Sequence, residues 1–224
     1  MTEFRKDQLA SGNYYHILNR SIARFQIFID TKDCERFMQI LDLYRYIDFN
    51  HKYSNFLNLS LLIQKSIIEN LRKEDYKLVK IISFCLMPTH FHLILYQIEN
   101  NGISKYMAKV LNSYSRYFNL RHKRKGPLWE GRFKNVLVDK DEQLLHLTRY
   151  IHLNPVSAGL IKKPEKWPYS SYSEYIDRKD DCLCEFADLI ELLPKKYQAF
   201  VKDRISYQKE LSKIKRLTIE NYTG

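Results

Sequence analysis

The stretch Met87-Pro88-Thr89-His90-Phe91-His92-Leu93-Ile94-Leu95 decides how the chain is read. Before it runs Val79-Lys80-Ile81-Ile82-Ser83-Phe84-Cys85-Leu86, whose β-branched and aromatic residues read as a strand. Pro88 and Thr89 interrupt that strand, and a second is expected from about His90 to Tyr96. Side chains two apart on a strand share a face. His90 and His92 therefore point the same way, and Phe91 points to the other face. Two imidazoles on one pleated face make half of a candidate metal site. The competing reading is a surface strand carrying two ordinary histidines, so the rest of the chain has to supply the other half.

It does so in Glu142-Gln143-Leu144-Leu145-His146-Leu147-Thr148-Arg149-Tyr150-Ile151-His152-Leu153-Asn154. Asp139 or Asp141 can cap this helix, and Pro155 is expected to end it at Asn154. Residues four apart share a helical face, about 6 Å apart along the axis. Tyr150 and Asn154 thus lie on one edge, with Asn154 at the helix end. An amide oxygen can be a metal ligand, and a phenol can attack what the metal polarises. With 17 tyrosines in the chain, a Tyr-x-x-x-Asn pair alone is weak, and a hydrogen-bonded structural pair is the ordinary alternative.

Between these two segments the charge changes abruptly. Arg116, Arg121, Lys123, Arg124, Lys125, Arg132 and Lys134 face a single anion, Glu130. Cations neutralise phosphates, and an interleaved aromatic can stack on an unpaired base. DNA contact is the preferred reading for Arg121, Lys123, Arg124, Lys125, Arg132 and Lys134, whereas Trp129 is expected to pack in the core.

Working outward, Tyr14 to Arg20 reads as a first strand; His16 on it could face DNA, but an ordinary strand residue is the preferred reading. A helix capped by Asp30 or Thr31 follows. Leu57 to Leu71 reads as another helix, an insertion within about residues 50–75. Ser104 can cap a long helix reaching about Leu120, and Phe133 to Val138 returns as a strand. Strands separated by helices imply an α+β sandwich, one antiparallel sheet with helices packed on it. The segment 194–224 carries eight cations and three anions, net +5; it reads as a basic helical tail, either a solvated helix or a grip on a DNA stem.

Composition agrees with a nucleic-acid partner. The 224 residues carry a formal charge of +11 and a pI near 9.3, with 45% apolar residues, enough for a core. No apolar run approaches the ~18 residues of a membrane span. The first residues lack a signal-peptide core, and the four cysteines form no disulfide framework, so a reducing cytoplasm is expected.

Three blocks carry a resemblance: Met87 to His92, Gly126-Pro127-Leu128-Trp129-Glu130-Gly131-Arg132-Phe133, and Arg149 to Leu160. They resemble the signature blocks of the single-tyrosine HUH transposases, most closely the REP-associated tyrosine transposases. Trp167-Pro168-Tyr169-Ser170-Ser171-Tyr172 resembles the block that closes their domain. The resemblance covers roughly residues 13–176; the insertion at 50–75 and the extension 177–224 fall outside what can be carried over. It implies a ferredoxin-like fold, metal-binding histidines at His90 and His92, a third amide ligand at Asn154 and a nucleophile at Tyr150. It also implies Mg2+ or Mn2+, and single-stranded DNA containing a hairpin as substrate. Imidazole ligands by themselves favour Mn2+. The implied activity is cleavage and rejoining through a 5′-phosphotyrosine. The alternatives are an inactive hairpin-binding protein and a metal-dependent nuclease that uses water. Relatives include dimers that share tyrosines and monomers that do not, so a homodimer stays open.

Overall fold

In the computed structural model, which describes residues 8–177, 182–186 and 193–205, the apolar runs pair into one antiparallel sheet. Its strands are β1 (Tyr14–Arg20), β2 (Val79–Met87), β3 (His90–Gln97) and β4 (Lys134–Val138), in the spatial order β2-β3-β1-β4. The helices are α1 (Thr31–Tyr44), α2 (Tyr53–Phe56), α3 (Leu61–Glu74), α4 (Gly102–Arg121), α5 (Asp141–Ser157), α6 (Tyr172–Asp177) and α7 (Pro194–Lys202). With α1 between β1 and β2 and α4 between β3 and β4, the order is βαββαβ, the ferredoxin-like α+β arrangement. The expected insertion holds α2 and α3.

The sheet is covered on two sides by different helices. On β3, Phe91 points toward α1, its ring 5.0 Å from Phe37 and 5.6 Å from Trp129. Trp129 is partly buried and its Nε1 donates to Leu111 O, so it packs as expected. The other face carries His90 and His92 and is met by α5, which packs chiefly on β2. Covered on both sides, β2 is almost continuously buried rather than alternating. Its outer edge is paired too: Leu86 N donates to Tyr169 O at 2.8 Å, and Ser171 N to Phe84 O at 3.0 Å. The Trp167–Tyr172 block therefore closes an edge that would otherwise be open to other strands.

Several boundaries differ from the sequence expectation. Helix α4 starts at Gly102, not Ser104. Asn101 before it is left-handed (φ 59°), and a Cβ on Gly102 would collide with the Leu78 carbonyl. A glycine-led turn therefore replaces the side-chain cap. Helix α3 starts at Leu61, because Ser60 accepts from Ile63 N and ends the extended chain there. Helix α5 starts at Asp141 without a side-chain cap. It does not stop before Pro155: it runs through to Ser157. Proline removes one amide donor and clashes one turn back, but burial of Pro155 and Val156 offsets that cost at the helix's last turn. Asn154 is accordingly inside the helix, not at its end.

Candidate active site on the histidine face

The site is built from three elements. Antiparallel register sets Leu18 opposite His92 and Arg20 opposite His90. Cross-strand partners share a face, so alternate residues of β1 place His16 beside the β3 histidines. His16 Nε2 lies 2.9 Å from His92 Nδ1 with the rings stacked, and the His90 and His92 rings are 5.1 Å apart. Tyr150 comes from α5 of the same chain. Its ring is 5.9 Å from that of His92 and 6.5 Å from that of His16, edge-on to both. Three sequence-distant segments thus meet at one spot. His16 was not singled out as a site residue by sequence. Its signal was strand alternation, readable only once the β1–β3 register is known.

Burial controls the protonation of these groups. His92 is almost fully buried, which holds its pKa well below 6.5, with the neighbouring His16, His90 and Arg20 adding to the effect. Burial lowers His16 to about 4; burial and then the Arg20 charge lower His90 to about 4. All three rings are therefore neutral at pH 7. The His16–His92 hydrogen bond uses one lone pair of that pair, and His92 keeps its own at Nε2 for a cation when its Nδ1–H donates to His16 Nε2. Tyr150 is 38% exposed, so a substrate can reach it, yet its partial burial raises the phenol pKa above 10. Tyr114 and Tyr117 are poorer candidates for attack. Tyr114 is fully buried on the α1 side and donates to Ile27 O, and Tyr117 donates to Asp33 Oδ1.

Asn154 follows Tyr150 by one turn. Its Nδ2 is buried and has no hydrogen-bond partner among the described residues. An amide can present either end by rotating, so an orphan end marks a place where its oxygen could meet a cation. Among the described residues no three His, Cys, Asp or Glu side chains are grouped to hold a metal ion. An amide oxygen is a donor of another kind that a cation at His90 and His92 could use.

His152, two residues from Tyr150 and two from Asn154 along α5, is the centre of a buried polar network. His152 Nε2 lies 2.8 Å from Ser171 Oγ and 3.1 Å from Ser83 Oγ, and its Nδ1 lies 2.7 Å from Tyr197 Oη. Tyr197 donates onward to Thr148 Oγ1 at 2.8 Å. One imidazole thus bolts α5 to β2, to the closing block and to α7. His146 is exposed and pairs with Arg149.

The basic residues separate into two groups. Arg121 is held by Asp30 and Asp33, and Arg124 lies over the Phe25 ring and donates to Asn119 Oδ1. Lys123, Lys125, Arg132 and Lys134 are exposed and form no ion pair among the described residues. Of the basic tail, Lys195, Lys196, Lys202 and Arg204 lie on or just after α7; Lys209, Lys213, Lys215 and Arg216 lie outside the described residues. No helix among the described residues is long and apolar enough to cross a membrane.

The class of protein comes from the sequence comparison, which places this ferredoxin-like chain among transposases. The family described as "Transposase IS200 like" matches residues 10–154, and the chain belongs to that family. Within it, the chain is similar to REP-associated tyrosine transposases. It is 29% identical over 101 residues to one described for Haemophilus influenzae, a match spanning 41% of this chain and 57% of that protein's length. It is 22% identical over 118 residues to the one from Escherichia coli, spanning 52% and 67%. A solved REP-associated tyrosine transposase bound to a REP hairpin has the same fold, with a TM-score of 0.55 and 17% identity over 86% of this chain and 95% of that one.

Proposed function

We propose that the chain cleaves and rejoins single-stranded DNA that carries a hairpin, using Tyr150 as the nucleophile. The observation that carries this reading is the Tyr150 ring 5.9 Å from the buried His92, within one chain and open to solvent on one side. Tyr150 Oη attacks a backbone phosphorus and the bond to the 3′ oxygen breaks. The phenol loses its proton, the departing oxygen gains one, and a 5′-phosphotyrosine and a free 3′-hydroxyl result. The ester keeps the broken end attached. A 3′-hydroxyl can later attack it and restore a phosphodiester without ATP, which a water nucleophile would not allow.

His90 and His92 would hold a divalent ion with Asn154. Such an ion supplies charge to polarise the phosphate and to offset the raised phenol pKa. The neutral imidazoles fit Mn2+ better than Mg2+. His16 holds the His92 ring in one orientation through the Nδ1 contact, as partners behind a ligand commonly do. The His152 network keeps α5, and with it Tyr150, against its own sheet, which favours attack within one chain whether or not the protein dimerises. Lys123, Lys125, Arg132 and Lys134 supply phosphate contacts. Arg121 and Arg124 are already engaged, so they order the loop more than they bind DNA.

The test is covalent trapping. The protein is incubated with Mn2+ and labelled oligonucleotides taken from DNA flanking its gene, each with a hairpin and single-stranded arms. An adduct that survives denaturation is expected. A cleaved product with a free 5′-phosphate and no adduct at any time point would replace this reading with a water-dependent nuclease. Binding without cleavage would replace it with an inactive hairpin-binding protein.

A further inference from the structure

The face of the sheet away from the histidines carries a second feature. Helices α1 and α4 and the loop entering α2 enclose a cleft of about 420 Å³. Arg36, His51, Lys52, Lys109 and Arg116 line it, and no Asp or Glu does. None of the two arginines and two lysines forms an ion pair among the described residues. Cations gathered in a concavity repel one another and focus a positive field, a cost that an anionic partner removes.

The cleft is built rather than incidental. The Arg36 guanidinium lies between the Tyr53 and Tyr117 rings, 4.6 Å from each centroid. Tyr53 is fixed in turn: its amide donates to Tyr44 Oη at 3.0 Å and its hydroxyl to Gln39 Oε1 at 2.8 Å. Lys109 is half-buried without a counter-ion, and the burial lowers its pKa. Lys109 and Arg116 are seven residues apart on α4, about 10 Å along the axis. That spread suits successive phosphates of a strand better than one small anion.

We infer that this cleft binds the phosphate backbone of DNA away from the cleavage centre. The inference rests on the DNA-processing reading of the histidine face and adds a second contact surface to it. The two surfaces lie on opposite sides of one sheet, so DNA touching both must pass round an edge. Lys123, Lys125 and Arg132 lie in the connection from α4 to the edge strand β4, and Lys134 opens that strand, which supplies unpaired cations along that route. The α2 segment of the insertion acquires a purpose: Lys52 and Tyr53 complete the cleft.

The experiment measures binding of a labelled DNA hairpin of arbitrary stem sequence to the full chain across a salt series. Wild type is compared with Lys109→Gln/Arg116→Gln, and with Lys162→Gln/Lys163→Gln as an equal change of net charge at exposed residues elsewhere. Each lost phosphate contact lowers the slope of log K against log salt by about 0.9. A slope shallower by nearly two is expected for the cleft pair alone, with several-fold weaker binding at fixed salt. Lys52→Gln is expected to lower it by about one. Melting temperature confirms that each variant is folded. Equal slopes for the two pairs overturn the cleft, even if wild type binds and forms its adduct. An unchanged DNA slope, with wild-type melting raised by inorganic phosphate but not in the cleft pair, makes it a small-anion site and also overturns it. A wild type that binds no DNA removes this inference and the DNA-processing reading together.

Discussion

His16 Nε2 and His92 Nδ1 approach to 2.9 Å although 76 residues separate them in sequence. With His92 Nδ1–H donating to His16 Nε2, the contact fixes the orientation of His92 and leaves its Nε2 lone pair as the one that can face a cation. Loss of a partner behind a metal ligand commonly costs ten- to a hundredfold in metal affinity. His16→Ala is therefore expected to raise the Mn2+ concentration giving half-maximal adduct by that factor, with binding of hairpin DNA unchanged in the absence of metal. An unshifted metal titration would return His16 to the role of an ordinary strand residue.

Tyr150→Phe is expected to abolish the denaturation-resistant adduct while hairpin affinity stays within twofold. Tyr114→Phe should leave the adduct intact and cost about 1 kcal/mol of stability, since it loses only the hydrogen bond to the Ile27 carbonyl. An adduct that persists in Tyr150→Phe and disappears in Tyr117→Phe would move the nucleophile to the other face of the sheet.

Burial lowers the pKa of His152 to about 3, against about 6.5 in an unfolded chain. Between those values only the unfolded chain takes up the proton. The associated stability is complete above pH 6.5 and is lost as pH falls toward 3, at up to about 1.4 kcal/mol per pH unit. Denaturant melts in EDTA at pH 7, 6 and 5 should show a shallower decline in His152→Gln than in wild type, by close to one proton. Parallel declines would mean that His152 titrates equally in both states.

Tyr197 ties α7 to the nucleophile helix through His152 and Thr148. Tyr197→Phe leaves a buried imidazole nitrogen unpaired, at a cost of about 1–3 kcal/mol. Because α5 carries Tyr150, the rate of adduct formation at saturating DNA should fall as well, with DNA affinity little changed. If stability falls but the rate under folded conditions does not, α7 supports the fold without positioning Tyr150.

Chelation offers a simpler check on the histidine pair. Adduct formation is expected to stop in EDTA and to return with Mn2+ more readily than with Mg2+. In His90→Ala and His92→Ala it should return with neither. Cleavage that continues through exhaustive chelation would exclude a metal role for these residues.

Local periodicity made much of this legible. Alternation with a period of two put His90 and His92 on one face, and helical spacing put Tyr150 and Asn154 on one edge, because both patterns follow from backbone geometry within a few residues. The strands β1, β2, β3 and β4, the capped start of α1 and the core position of Trp129 were readable for the same reason. Helix ends were less so. Pro155 signals termination locally, but the burial that keeps it helical comes from residues elsewhere in the chain.

Tertiary contacts decided what no local pattern carries. His16 joins the site only through the register of β1 on β3, and Arg121 is neutralised only because Asp30 and Asp33 from α1 reach it. The cation cleft combines α1, α4 and the insertion, segments far apart in sequence. Side-chain periodicity is a property of a single element, whereas pairing, desolvation and field depend on which elements the hydrophobic core brings together.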